Sequence, residues 1–272
     1  MCQKTRNDKF SNLKRPNKIW AVSSIHGDLD RLIQLHDAIF ERFAPGDRLV
    51  YLGNYTGYGS QSRETIDELL VFRRLLLAQP GMKPSDIVYL RGAQEELWYK
   101  LTQLHFAPKP VDTLLWMMAS GMSNTMQSYG ICAHDGIMAA REGTVSLTRW
   151  TNKVRETLRQ NAGHDCFMTH SKRAAYTEYD NRTPILFVNA GLDPARTLEQ
   201  QDDNLWWAGE TFSDMTESYA PFEKVIRGFD PRHEGVHINC VTATLDGGCG
   251  FGGSLVAASM SAEGEIQELM EV

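Results

Sequence analysis

Zinc-type cysteine pairs are missing from this chain. Its five cysteines in 272 residues (Cys2, Cys132, Cys166, Cys240, Cys249) include no C-x-x-C. An odd, scattered count in a chain this long does not make a disulfide framework either. Reduced thiols in a cytoplasmic protein are the expectation. No apolar run approaches the ~18 residues that span a bilayer, so no membrane partner is expected. The opening stretch, "MCQKTRNDKFSNLKRPNK", lacks the apolar centre of a secretory signal. Residues 1–17 read instead as a flexible basic tail. A basic excess is missing overall: 28 Lys and Arg against 34 Asp and Glu give a net charge of −6. That balance argues against nucleic acid as a partner and suits solubility. There is no internal repeat and no linker, so 18–272 reads as a single domain.

What is present is ordinary globular material, 42% hydrophobic and 23% charged. Lys18 to Ser24 is β-rich and runs into a loop holding His26. Leu29, Leu32, Ile33, His36, Phe40 and Phe43 then follow at helical spacing. "DRLVYLGN" (47–54) predicts a second strand. Ser62 is placed to cap the next helix, whose stripe is Ile66, Leu69, Leu70, Leu76 and Leu77. "DIVYLRG" (86–92) predicts a third strand and "AQEELWYKL" a third helix. Strands alternating with helices imply an α/β fold with a parallel sheet segment. In such sheets ligands sit beyond the carboxyl ends of the strands. Three loops meet there: Ser24–Asp28, Asn54–Ser60 and Gly92–Glu95.

The middle of the chain, about 106–170, reads as a Met-rich helical insertion beside that site. "AAYTEYDNRTPILFVNAG" predicts a hairpin turning near Asp180 and Asn181. The later runs "EKVIRGF", "HINCVTATL" and "SLVAASM" predict a second, mixed sheet.

Taken together, "SSIHG", "GNYTGYG", "GAQE", "LFVNAGLDPA", "RGFDP" and "TLDGGCGFGGSLVA" fall in the order of the loop motifs of one family. The chain thus resembles the calcineurin-like metallophosphoesterase superfamily, in its branch of bacterial Ser/Thr protein phosphatases and diadenosine tetraphosphatases. The likeness runs from about Lys18 to Ile266. It implies two packed mixed β-sheets flanked by helices, a four-layer sandwich. It also implies two divalent metals that clamp a phosphate and activate a water, an imidazole acid near the leaving group, and arginines that hold the phosphate.

Carried over residue by residue, most of that chemistry is replaced. Ser24 stands where the first Asp ligand would be, and His26 matches the first His ligand. Asn54 replaces the bridging Asp, and Ala93 the metal-binding Asn. Gln94 replaces the proton donor and Gly57 its carboxylate partner. Tyr58 and Ala208 stand at arginine positions. Asn189 and Phe229 stand for the later His ligands. Only His26 is retained, and a neutral set of this kind offers nothing to offset the charge of two metals. A single weakly held ion near His26, Asn54 and Asn189 is the alternative. The turn glycines Gly27, Gly53, Gly59, Gly92 and Gly191 remain, so the scaffold is kept while the site is dismantled.

Other candidates are weaker. His26, Arg91 and Arg227 could bind a phosphate, or the arginines could form structural ion pairs. His164, Cys166 and His170 fit no metal template. Trp206, Trp207 and the insertion form either a partner surface or core. "DGGCGFGG" lacks the Lys-Ser/Thr of a phosphate loop and reads as a strand turn. The implied function is a pseudophosphatase, a regulatory or scaffolding module for a protein or a phosphorylated ligand. The alternatives are a phosphoesterase with a rebuilt metal site and a nucleotide sensor without turnover.

Overall fold

Alternation of buried side chains along nearly continuous apolar strands sets the layering. A computed structural model describes residues 9–178 and 184–272. The first half runs β1 (Phe10–Asn12), β2 (Lys18–Val22), α1 (Leu29–Phe40), β3 (Arg48–Tyr51), α2 (Ser62–Leu77), β4 (Ile87–Tyr89) and α3 (Ala93–Thr102). Five helices follow: α4 (Pro110–Met117), α5 (Ser123–Ser128), α6 (Ala133–Glu142), α7 (Thr144–Gln160) and α8 (His164–His170). A widened turn, Met118–Met122, joins α4 to α5. The remainder is β5 (Ala174–Tyr176), β6 (Ile185–Val188), α9 (Asn204–Trp207), β7 (Lys224–Arg227), β8 (His237–Ile238), β9 (Thr242–Thr244), β10 (Val256–Ser261) and β11 (Ile266–Glu271).

The strands form two mixed sheets, ordered β1-β5-β6-β7-β9-β8 and β11-β10-β2-β3-β4. Successive strand residues point to opposite faces. Ile19 and Ala21 therefore pack with Phe187 and Ile226 between the sheets. Trp20 and Val22 face the other way, into a core shared with Leu32, Ile66 and Leu97 of the helices. On the far side Leu186 and Val188 pack against Leu205, Trp206 and Phe212. Both faces of each sheet are thus covered, giving four layers. This is why "KIWAV" and "ILFV" carry no polar alternation.

β2, β3 and β4 are parallel, as expected. The span from Pro110 to His170 is helical, with short turns between the helices. β5 and β6 pair antiparallel, while the turn expected near Asp180 and Asn181 lies outside the described residues. No helix among the described residues is long and apolar enough to cross a membrane.

Four expectations change. The buried stripe of α1 is Leu32, Leu35, His36 and Ile39, whereas Ile33 and Phe40 face outward. Ser62 lies inside α2 rather than capping it, and its hydroxyl accepts from the Gly57 N–H at 3.3 Å. "SLVAASM" does not join the second sheet. As β10 it pairs antiparallel with β2, and it brings along β11, which the sequence did not announce. The 1–17 segment is not all tail, because β1 pairs in parallel with β5 and Leu13 is fully buried. The sparse apolar residues of "KFSNLKRP" hid a strand of only three residues, one turned along the edge of a sheet.

Leu13 tests this docking. Truncating a fully buried leucine costs about 2–5 kcal/mol, so Leu13→Ala should lower the unfolding free energy by that much in urea titration. A change within about 0.5 kcal/mol, as for a surface substitution, would mean that β1 is not part of the fold.

Candidate functional site

The three predicted loops meet at the carboxyl ends of β2, β3 and β4, held mainly through main-chain atoms. Ile25 and His26 N–H groups both donate to Asn54 O, at 3.0 and 2.8 Å. The Gly27 N–H donates to Tyr55 O at 2.8 Å, and Gly59 N–H to His26 O at 2.6 Å. The Glu95 carboxylate, at the start of α3, ties in the third loop. It accepts from Asn54 N and Tyr55 N at 2.9 Å and from Gly92 N at 2.8 Å. Burial raises the Glu95 pKa, and the three N–H donors work against that rise. His26 and Asn54 adopt φ values of 54° and 57°, the left-handed region that non-glycine residues seldom enter.

The side chains named from sequence do come together, as a neutral hydrogen-bonded net. Asn54 Nδ2 donates to Ser24 Oγ at 3.2 Å, and Asn54 Oδ1 accepts from Gln94 N at 3.1 Å. Asn189 Nδ2 donates to Leu52 O at 2.7 Å, and its Oδ1 accepts from Ala93 N at 3.3 Å. Gln94 Nε2 donates to Ser120 O at 2.8 Å, so the widened turn of the insertion closes over the position of the proton donor. Asn124, from α5, donates to Tyr58 O. Ser24, Asn54 and Asn189 are completely buried.

His26 stands apart from this net. It is 1% exposed, and neither ring nitrogen has a hydrogen-bond partner. Aromatic edges surround it: Tyr58 at 5.5 Å, Phe229 at 5.5 Å and Phe251 at 5.3 Å between ring centroids. Phe251 also packs on Tyr58 at 4.3 Å and on His233 at 3.9 Å. Two glycines permit this enclosure. A Cβ at Gly57 would sit 2.8 Å from His26 Nδ1 and 3.0 Å from Gln94 Cδ. One at Gly250 would sit 2.5 Å from His26 Cβ. An Asp at position 57 would also have to adopt φ +135°, so this loop has no room for the family's carboxylate.

These residues do not fit a two-metal centre. Ala93 has no donor atom, the Asn54 amide is used on both sides, and aromatic carbon encloses His26. The nearby carboxylate, Asp246, is already engaged by Gly248 N at 2.8 Å, Asp230 N at 2.8 Å and His233 Nδ1 at 2.9 Å. Among the described residues no group of three or more His, Cys, Asp or Glu is arranged to hold a metal ion.

Neither arginine candidate is left over for a ligand. Arg227 is fully buried. It pairs with Asp230 at 3.1 Å and donates to Thr244 Oγ1 at 2.8 Å and Gly209 O at 2.7 Å. Arg91 pairs with Glu96 at 3.2 Å and donates to Ser171 Oγ at 3.4 Å. His164 is buried between Tyr129 Oη at 2.7 Å and Asp67 at 3.1 Å, apart from the exposed Cys166 and His170. Trp206 is core, but Trp207 is 40% exposed, and its ring lies 6.1 Å from that of Trp116, itself 48% exposed.

Sequence reasoning missed Glu95, Phe251, His233 and Asp246. Glu95 was visible as the last residue of "GAQE". Phe251 was concealed in a Gly-rich stretch that reads as a turn and becomes a lid only because β9 and β10 lie in different sheets.

No family model matches the chain, and no curated protein matches it. Solved structures do. One described as a diadenosine tetraphosphatase superposes with a TM-score of 0.56 at 18% identity, covering 97% of each chain. A protein serine/threonine phosphatase from Saccharomyces cerevisiae gives 0.52 at 13% identity, over 97% of this chain and 82% of that one. A cold-active protein-tyrosine phosphatase of a psychrophilic Shewanella gives 0.54 at 13% identity, with the same coverage. With the two layered sheets and the loop order, these likenesses define the fold: it is that of the calcineurin-like metallophosphoesterases.

The enclosure of His26 predicts a pH signature. Burial depresses its pKa from 6.5 to about 4, Asp246 opposing and His233 adding to the shift. Between those values the unfolded chain binds the proton and the folded chain does not. The contribution of this group is therefore full above pH 6.5, falls as pH drops toward 4, and levels off below, a loss of about 3 kcal/mol. The difference in unfolding free energy between wild type and His26→Phe should follow that slope. A difference that stays flat between pH 6.5 and 4 would contradict a buried neutral ring.

Proposed function

We propose that this protein is a pseudophosphatase, a cytoplasmic regulatory or scaffolding module that binds a protein partner through the face built around the former catalytic loops. It holds no metal there and hydrolyses no phosphoester. The observation that carries this reading is the enclosure of His26 by Tyr58, Phe229 and Phe251. Hydrolysis by this fold needs two cations and an activated water. Here the imidazole meets aromatic edges, and the Asn54 and Asn189 amides spend their polar atoms on Ser24 and on the main chain.

A partner surface is supported by the insertion. It contributes Ser120 and Asn124 to the site loops and exposes Trp116 beside Trp207. Exposed tryptophans in proximity are costly in water and enriched at protein interfaces. Lys100 Nζ lies 5.9 Å from the Trp207 ring centroid and pairs with Asp203 at 3.1 Å, giving the patch a polar rim.

Two measurements test this. Protein incubated with excess Mn²⁺ and desalted should retain no stoichiometric metal and should release no p-nitrophenol from p-nitrophenyl phosphate. Two equivalents of metal, with turnover lost in His26→Ala, would overturn the reading. A Trp116→Glu, Trp207→Glu double variant should change stability by no more than about 0.5 kcal/mol per site. It should also lose the protein that wild type captures from lysate, and undiminished capture would remove the tryptophan patch from the proposal.

A further inference from the structure

A second concavity lies outside the His26 cluster and shares no residue with it. It is a cleft of about 690 Å³ between the C-terminal half of α2, the outer edge of β4 and α8. That volume is within the range of roughly 300–1,000 Å³ usual for small-molecule sites. Its floor is apolar and aromatic, formed by Leu70, Ile87, Tyr89 and Phe167. The Tyr89 and Phe167 rings meet edge to face, 4.9 Å between centroids, so the floor is a preformed aromatic corner.

The rim is cationic. Arg73, Arg74 and Lys172 line it, and among the described residues the lining includes no Asp or Glu. On a chain of net charge −6 this is unusual, since its other arginines are largely matched: Arg31 with Asp28, Arg48 with Asp86, Arg91 with Glu96. Arg73, by contrast, makes one long bond to Pro84 O, at 3.4 Å, and has no carboxylate partner among the described residues. The half of the cleft that repels water is thus adjacent to a half that attracts an anion. Guanidinium groups favour phosphate oxygens, and two of them match a dianion better than a monoanion.

We infer that this cleft binds a small aromatic phosphomonoester, with its ring on Tyr89 and Phe167 and its phosphate between Arg73 and Arg74. An added peptide strand is a poorer occupant. β4 has only three residues, and the Lys172 main chain already bonds across its end, its N–H donating to Tyr89 O at 2.8 Å.

Isothermal titration calorimetry of the full chain tests the inference, with 1-naphthyl phosphate as probe against 1-naphthol, 1-naphthoate and inorganic phosphate. The expected result is saturable binding of 1-naphthyl phosphate at one per chain, at least about tenfold tighter than each of the other three. Arg73→Ala with Arg74→Ala should weaken it by at least about tenfold. Leu70→Trp, which fills the floor and keeps the charges, should abolish it. Arg232→Ala, on an exposed arginine next to His233, should leave it unchanged. Absence of saturable binding, equal affinity in the Arg73/Arg74 variant, or loss of binding in Arg232→Ala would each overturn the assignment.

Discussion

The Glu95 carboxylate holds the loops at the carboxyl ends of β2, β3 and β4 in shape. Three main-chain N–H groups from two loops converge on it: Asn54 and Tyr55 after β3, and Gly92 after β4. A buried carboxylate is expensive unless such donors surround it. Once they do, the loops cannot drift apart without orphaning the charge. The turn after β2 is fastened to the same frame, since Ile25 and His26 donate to the Asn54 carbonyl. The loop frame is therefore held by main-chain hydrogen bonds to one buried carboxylate.

Within that frame the side chains are neutral and aromatic. Asn54 bonds to Ser24, both Asn54 and Asn189 also take main-chain partners, and aromatic rings take up the space around His26. Gly57 and Gly250 belong to that arrangement, because a side chain at either position would drive into the imidazole. The crossing from β9 in one sheet to β10 in the other carries Phe251 over the ring, which closes the cluster from the remaining side. The insertion contributes from outside, with Ser120 holding the Gln94 amide.

Much of this was legible in the sequence. Apolar runs at Lys18–Val22 and Ile185–Val188 announced strands covered on both faces, and six loop motifs in order announced the fold. The side chains named from those motifs, Ser24, Asn54, Ala93, Asn189 and Phe229, do gather round one point. Longer-range relations were hidden. Nothing local in "SLVAASM" distinguishes pairing with β2 from pairing with β9, because sheet membership is decided by the path of the preceding loop. For Arg91 and Arg227 the choice between a ligand and an ion pair stayed open, because their partners, Glu96 and Asp230, are visible as partners only once side-chain direction is known. The three-residue strand at Phe10–Asn12 carries too little periodicity to stand out from a polar segment.

The central claim of the proposal is physical: Tyr58, Phe229 and Phe251 enclose the His26 ring and keep it from metal. Paramagnetic broadening reads this directly. In protein labelled with ¹⁵N-histidine, Mn²⁺ added to one and then two equivalents should leave the His26 ring resonances at full intensity, with any broadening confined to exposed histidines such as His170. Selective loss of the His26 signals at stoichiometric Mn²⁺ would show that the imidazole reaches a bound cation, and would contradict a site rebuilt without metals.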